Sequence, residues 1–339
     1  MNIFCYFCNC LFRNYTSTIV KIMTDKYGEK YCGDSLFVAK CRRLQSIFRV
    51  EKNEEIRPYN GRDGKVHYYG NYINCGERSG VNFLTEYAFD YAKERVKNRK
   101  KYETIDADRL FNNLLSSQPM AFNLFCPLRK MLKESSEYAT TVIKAALPMF
   151  PIHKVIKVEL EFIPGNYKEL TGDKSAMDAI IRFLKEDGTE GFIAVETKYS
   201  ENLGMNVALD KDTKKTRARS LEAVRELKCF NPDVEERIND GRVKLTQIYR
   251  NFLLSETYGA KEGLESYSII LAPKEHPSTN NEVASLTMEL REEYKDKLRE
   301  ITLEDFVGKI IDKSPEEYRF VFEKFYDRYL NFGKLDGNQ

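Results

Sequence analysis

The sequence predicts an α/β protein (α+β by some schemes): a central mixed β-sheet with helices on both faces and further helices at both ends. Three observations lead there. The apolar periodicities run in the order helices, three strands, helix, strand, helices, which packs as a helix-layered sheet around one core. Residues 154–162 alternate apolar and polar as a strand does. Residues 175–201, SAMDAIIRFLKEDGTEGFIAVETKYSE, form two apolar, β-branched arms around Asp187-Gly188, a strong hairpin signal.

Helical spacing of apolar residues predicts helices over 35–48 and 82–100. The Gly-, Asn- and Tyr-rich stretch from Tyr59 to Ser79 between them reads as loop. Helices also fit 107–115 and 120–132, and a further one over 136–147 is stopped by Pro148 and Pro151. The strand at 154–162 ends at Pro164-Gly165, and the hairpin follows. Residues 202–239 are charged and partly helical. Residues 243–255 read as an amphipathic helix and 267–272, YSIILA, as a short buried strand. Helices over 281–300, 302–312 and 315–330 close the chain.

The 339 residues, 42% hydrophobic and 31% charged, suit a soluble globular protein with a full core. A net charge of only +2 excludes a bulk basic field, so any nucleic-acid binding must come from local patches. No apolar run is long enough to span a membrane. The first 23 residues are apolar and carry Cys5, Cys8 and Cys10, but the first basic residue, Arg13, follows the apolar stretch, so a signal peptide is not expected. They read as an N-terminal extension, with 24–339 a single domain whose core lies at about 136–272. No second pair of ligands at finger-like spacing follows the three cysteines. Cys32, Cys41, Cys75, Cys126 and Cys229 are scattered singly, as expected of reduced, mostly buried thiols in a cytoplasmic protein.

The chemistry concentrates in the hairpin. Glu196 and Lys198 are two residues apart on the second arm and so share a face. A three-residue loop, Glu186-Asp187-Gly188 with Gly188 left-handed, pairs Lys185 with Thr189 and sets Asp178 opposite Glu196. A two-residue loop would put the two acids on opposite faces. Carboxylates opposed across a ladder repel, so folding alone would not select them; a divalent cation would. Asp178 and Glu196 supply the hard oxygens that Mg²⁺ (or Mn²⁺) prefers, the Thr197 carbonyl stands beside them as a further ligand, and the Lys198 ammonium can hold a phosphate or help deprotonate a water.

Asp178, seventeen intervening residues and then Glu196-Thr197-Lys198, set on an apolar strand, turn and strand, resemble the PD-(D/E)xK nuclease superfamily. That family's core order of helix, three strands, helix and strand maps onto one of the upstream helices, 154–162, 176–185, 189–198, 243–255 and 267–272. Met177 stands where the family often has proline. The resemblance implies a restriction-endonuclease-like fold and Mg²⁺-dependent cleavage of DNA. It also implies an acid on the first core helix, for which Glu86 is the candidate with Gln118 and Asn123 as competitors, and a polar residue on the later helix, for which Gln247 is the candidate.

Other readings stay open. A lone Glu or Gln on an amphipathic helix is ordinarily just solvated. The domain could be a catalytically silent nucleic-acid-binding or protein-interaction module on the same scaffold, or an enzyme acting on another phosphate ester. The basic stretches Lys93–Lys101 and Lys211–Lys228 could contact a phosphate backbone or could be solvated helix faces. Cleavage of both strands of a duplex would suit a homodimer. His67, His153 and His276 lie too far apart to suggest a histidine metal site or a triad.

Overall fold

The structure, a computed structural model, describes residues 25–61, 63–201 and 211–336, with backbone only at 211–214. The N-terminal extension with Cys5, Cys8 and Cys10 lies outside the described residues. In chain order the elements are α1 (Leu36–Glu51), β1 (Tyr59–Asn60), β2 (Val66–His67), α2 (Gly76–Ser79), α3 (Glu86–Lys97), α4 (Ala107–Asn112), α5 (Ser117–Glu134) and α6 (Ser136–Ala146). Then come β3 (Lys154–Phe162), α7 (Tyr167–Leu170), β4 (Met177–Leu184), β5 (Glu190–Thr197), α8 (Lys211–Leu227), α9 (Val234–Asn239) and α10 (Gln247–Glu262). The chain closes with β6 (Glu265–Ala272), α11 (Thr279–Glu289), α12 (Glu292–Lys295), β7 (Leu298–Thr302), α13 (Leu303–Lys313), α14 (Glu316–Tyr329) and a 3₁₀ turn (Phe332–Leu335).

The helix starts have local causes. The side chains of Ser35, Thr85, Asp106, Ser116 and Ser135 each accept a hydrogen bond from a backbone N–H of the first turn of α1, α3, α4, α5 and α6. Helix α5 is apolar nearly all round and is correspondingly enclosed, with Phe122, Leu124, Phe125 and Leu128 fully buried.

Strands β3 to β7 form one mixed five-stranded sheet in sequence order. The first three pair antiparallel, and β5–β6 and β6–β7 pair parallel. The sheet separates two cores. Ala179, Ile181, Ile193, Val195, Ile269 and Leu271 face the larger one, with α5, α6, α13 and α14. Ile180, Phe192 and Ala194 face the other side, against Leu254 of α10. Asp178 and Glu196 belong to the second set by alternation, so the α10 face carries the site.

The hairpin turn is the three-residue one. Lys185 N–H donates to the Thr189 carbonyl (2.8 Å), Gly188 N–H donates to the Lys185 carbonyl (3.0 Å), and Gly188 has φ +80°. Asp187 Oδ1 tightens the loop by accepting from Thr189 N (2.9 Å) and Oγ1 (2.6 Å).

Two expectations need correction. The stretch from Tyr59 to Ser79 is not loop throughout, since it holds the β1–β2 ribbon and α2. The expected helix over 281–300 is instead α11, α12 and the start of β7. Strand β7, LREIT, is short and charged, and only its parallel pairing with β6 makes it a strand.

Candidate active site

The β4–β5 ladder runs as far as Ala179↔Val195, and one further rung sets Asp178 level with Glu196. On the other side, the β3–β4 pairs Leu160↔Ala179 and Phe162↔Met177 bracket Glu161 and Asp178. Three acids from three adjacent strands, Glu161, Asp178 and Glu196, therefore stand in one row across the sheet. Glu161 has φ +52°, a left-handed conformation that costs a side-chain-bearing residue about 1–3 kcal/mol and is characteristic of functional positions. All three line a cavity of about 490 Å³.

Each acid is held differently. Asp178 Oδ2 accepts from the backbone N–H and the hydroxyl of Thr197, at 2.7 Å each, where the ladder ends. Glu196 is 3% exposed, and every hydrogen bond to it comes from a side chain that also faces the cavity or α10. Its Oε1 lies 2.6 Å from Lys198 Nζ and 2.7 Å from Gln247 Nε2, and its Oε2 accepts from Asn251 Nδ2 at 2.6 Å. Gln247 and Asn251 are four apart, so one face of α10 delivers both amides. Gln247 Oε1 in turn accepts from Lys198 (3.0 Å). Glu161 Oε1 accepts from Gln118 Nε2 (3.0 Å), while Gln118 Oε1, buried in the same cavity, has no partner among the described residues.

A fourth acid, Glu201, ties the exit of β5 to the start of α5. Its carboxylate accepts from Ser117 N (2.8 Å) and Oγ (2.9 Å), and from Tyr199 N (3.1 Å). At the mouth of the cavity Arg250 donates to Asp173 (2.7 Å) and Ser175 (3.1 Å), and Arg109 reaches Glu201 at 3.4 Å.

The electrostatics follow from burial and crowding. Burial, then the Asp178 charge, pushes Glu196 up to about 7. Burial, then Asp178, raises Glu161 well above the usual carboxylate range, and burial raises Asp178 despite Lys198 and the Thr197 donors. Burial alone would lower Lys198, but Glu196 and Asp178 outweigh it and hold the ammonium above its ordinary value. Glu201 goes the other way: burial would raise it, yet Lys198, the Ser117 N–H and Arg109 keep it low. Among the described residues neither Asp178 nor Glu161 is in an ion pair, so burial and crowding hold their end of the row towards the protonated form.

That arrangement of strands and acids agrees with a comparison against known families, in which the model of the PD-(D/E)XK nuclease superfamily matches residues 32–331. The chain belongs to the PD-(D/E)XK nuclease superfamily. Members are generally nucleases and typically use divalent metal ions. No curated protein and no solved structure matches the chain.

Within this PD-(D/E)XK protein, Asp178, Glu196, Lys198 and Gln247 are brought together around the cavity. Glu86 is not. It is exposed in the first turn of α3 and lines a separate hollow with Tyr87, Asp90, Lys130 and Glu134. Its position suits an anion at a helix N-terminus, and α3 turns Ala88 and Ala92 inward instead. Of the two competitors, Gln118 reaches the site and Asn123 does not: Asn123 Oδ1 accepts from Leu84 N (2.7 Å), and its amide donates to Asn82 O (2.9 Å) and Tyr329 Oη (3.0 Å).

Glu161, Asn251 and Glu201 were missed by the sequence reading. Asn251 was findable one helical turn beyond Gln247. Glu161 required the β3–β4 register, and Glu201 carries no periodic signal. The arginines of the two basic stretches are engaged internally. Arg95 donates to Glu161 O (3.0 Å) and Arg99 to the carbonyl of Ile105 (2.5 Å). Arg217 donates to Ile238 O (2.7 Å), and Arg219 donates to Glu169 O (2.7 Å).

Proposed function

We propose that this protein is a divalent-metal-dependent nuclease that hydrolyses phosphodiester bonds of nucleic acid, with DNA as the substrate. The observation that carries the proposal is the row Glu161, Asp178, Glu196: three carboxyl groups crowded in one cavity, of which, among the described residues, only Glu196 touches a lysine. Such crowding of buried carboxyls costs folding energy, and a bound cation would relieve it.

The donor set fits Mg²⁺ or Mn²⁺: Asp178, Glu196 and the Thr197 carbonyl are all hard oxygens. Among the described residues no three His, Cys, Asp or Glu side chains form a ready-made metal cage. The proposed set needs only two carboxylates with a carbonyl, leaving positions for water and phosphate. When bound, the ion polarises the phosphoryl oxygen and makes its water more acidic.

The protein's own groups do the rest. Lys198, 6% exposed and held by Glu196 and Gln247, presents a fixed positive charge to a phosphate oxygen as negative charge develops there. Gln247 and Asn251 orient the Glu196 carboxylate through their amides. Glu161, fixed by Gln118, is a further carboxyl beside Asp178 that would give up its proton as a cation enters. Arg109 and Arg250 at the mouth suit the flanking phosphates of the strand.

The test is cleavage of duplex and single-stranded DNA in Mg²⁺ by wild type, Asp178→Asn and Lys198→Ala. Wild type is expected to cut, and each variant to lose on the order of a thousandfold in kcat while keeping its circular dichroism spectrum. Wild-type protein that binds DNA without cutting it in Mg²⁺ or Mn²⁺ would instead establish a silent binding module.

A further inference from the structure

Residue Tyr199 follows Lys198 directly and points the other way. Lys198 enters the cavity on the α10 face, whereas the Tyr199 ring is wholly buried in the core behind the sheet. There it packs edge-to-face on Tyr329 of α14, with centroids 5.4 Å apart at 88°. Its hydroxyl accepts from Gln45 Nε2 of α1 at 3.0 Å. Gln45 is itself fully buried, and its amide also donates to the backbone carbonyl of Arg328 (3.0 Å) and accepts from Arg328 Nε (3.1 Å).

Arg328 is the unusual member of this group. It is 3% exposed, and the acceptors found on its guanidinium are all neutral: Gln45 Oε1, Asn82 O (2.8 Å) and Asn82 Oδ1 (2.6 Å). It also lies over the rings of Phe48 (4.0 Å) and Tyr329 (4.6 Å). A buried cation satisfied only by neutral groups is costly, and it holds Gln45 in one orientation from both ends of its amide. The network joins α1, the residues before α3, and α14 to the end of β5, with partners 283 residues apart in sequence.

We infer that Gln45, oriented by Arg328, is a positioning residue for Lys198 and acts through Tyr199. Lys198 and Tyr199 both lie just past the end of β5, where the Lys198 N–H still donates to the Leu271 carbonyl of β6 (2.8 Å). Adjoining residues cannot shift independently, so anchoring Tyr199 behind the sheet sets where the Lys198 stem leaves it in front. On this inference α1 and α14 hold the reactive end of β5 in register. The word positioning rests on the nuclease reading above; the mechanical link does not.

The experiment follows the side-chain ammonium resonance of Lys198 in full-length, ¹⁵N-lysine-labelled protein, assigned by its loss in Lys198→Arg. Gln45→Leu breaks the link. Tyr199→Phe removes only the hydroxyl acceptor and keeps the ring packing, so it tests the link even if Gln45→Leu fails to fold. Ile310→Val, in the buried face of α13, is the control for general loosening of the core. The Lys198 signal is expected to shift and exchange faster with water in Tyr199→Phe and Gln45→Leu and to stay put in Ile310→Val. On duplex DNA with Mn²⁺, Tyr199→Phe is then expected to lose on the order of tenfold in kcat with KM unchanged. An unmoved Lys198 signal in Tyr199→Phe overturns the inference, and so does an equal shift in Ile310→Val. The resonance needs no substrate, so an absence of cleavage would defeat the nuclease proposal and leave this result standing.

Discussion

The metal-free protein should lose stability as pH rises from 5 to 8, and Mg²⁺ should restore it. Glu196 supplies the magnitude. Its carboxyl is raised from an ordinary 4.5 to about 7 by burial and by Asp178. A group whose folded-state value lies above its unfolded value contributes fully below the unfolded value, and that contribution is lost as pH climbs through the folded one. At about 1.4 kcal/mol per pH unit, the difference comes to about 3 kcal/mol in all, lost for the most part between pH 5 and 8. Glu161 and Asp178 are raised as well and act in the same direction. Glu201 is lowered, so its contribution is gained at acidic pH and is already complete in this window.

The assay is urea unfolding in EDTA at pH 5 and pH 8, for wild type and Glu196→Gln, and then again in Mg²⁺. Gln resembles the protonated carboxyl and does not titrate, so Glu196→Gln adds an offset that does not vary with pH, and the readout is the change with pH rather than the offset. The stability gap between wild type and variant should narrow by about 3 kcal/mol from pH 5 to pH 8 in EDTA. Mg²⁺ should stabilise wild type more at pH 8 than at pH 5, because binding needs deprotonated ligands. A pH-independent gap would show that Glu196 titrates normally and would refute the claim that the acids are held under mutual repulsion.

Glu161 and Glu86 make a contrasting pair: Glu161→Gln should weaken Mn²⁺ binding on the order of tenfold by calorimetry, and Glu86→Gln should leave it unchanged. Equal effects would erase the distinction drawn from their positions. Gly188→Ala should lower stability by about 1–2 kcal/mol in urea unfolding without altering cleavage. The added methyl meets nothing within 4 Å, so the whole cost is the φ of +80°. An unchanged unfolding midpoint would contradict the left-handed turn that sets the register.

The hairpin site was legible because its determinants are local. Asp187-Gly188 marks the turn, and once its loop has three residues every rung down to Asp178 and Glu196 follows by counting; the same dipeptide also fits a two-residue loop, so the loop length waited for the structure. Lys198 shares the face of Glu196 by alternation, and Gln247 shows itself as a polar residue opening an apolar helix. Strand β7 was illegible for the opposite reason: five residues with two charges have no strand signal until β6 offers them partners.

The sequence by itself determined the acids and lysine of the hairpin and the layered sheet that bears them, because turn signals and strand alternation act over a few residues; that the two acids share a face was decided by the three-residue turn of the structure. Tertiary structure alone decided that Glu161 on the neighbouring strand, rather than Glu86 on a helix, lines the cavity with Asp178 and Glu196, and that Asn251 and Glu201 lie against them. Those residues meet through the β3–β4 register and the docking of α5 and α10, contacts between segments whose separation along the chain carries no periodic trace.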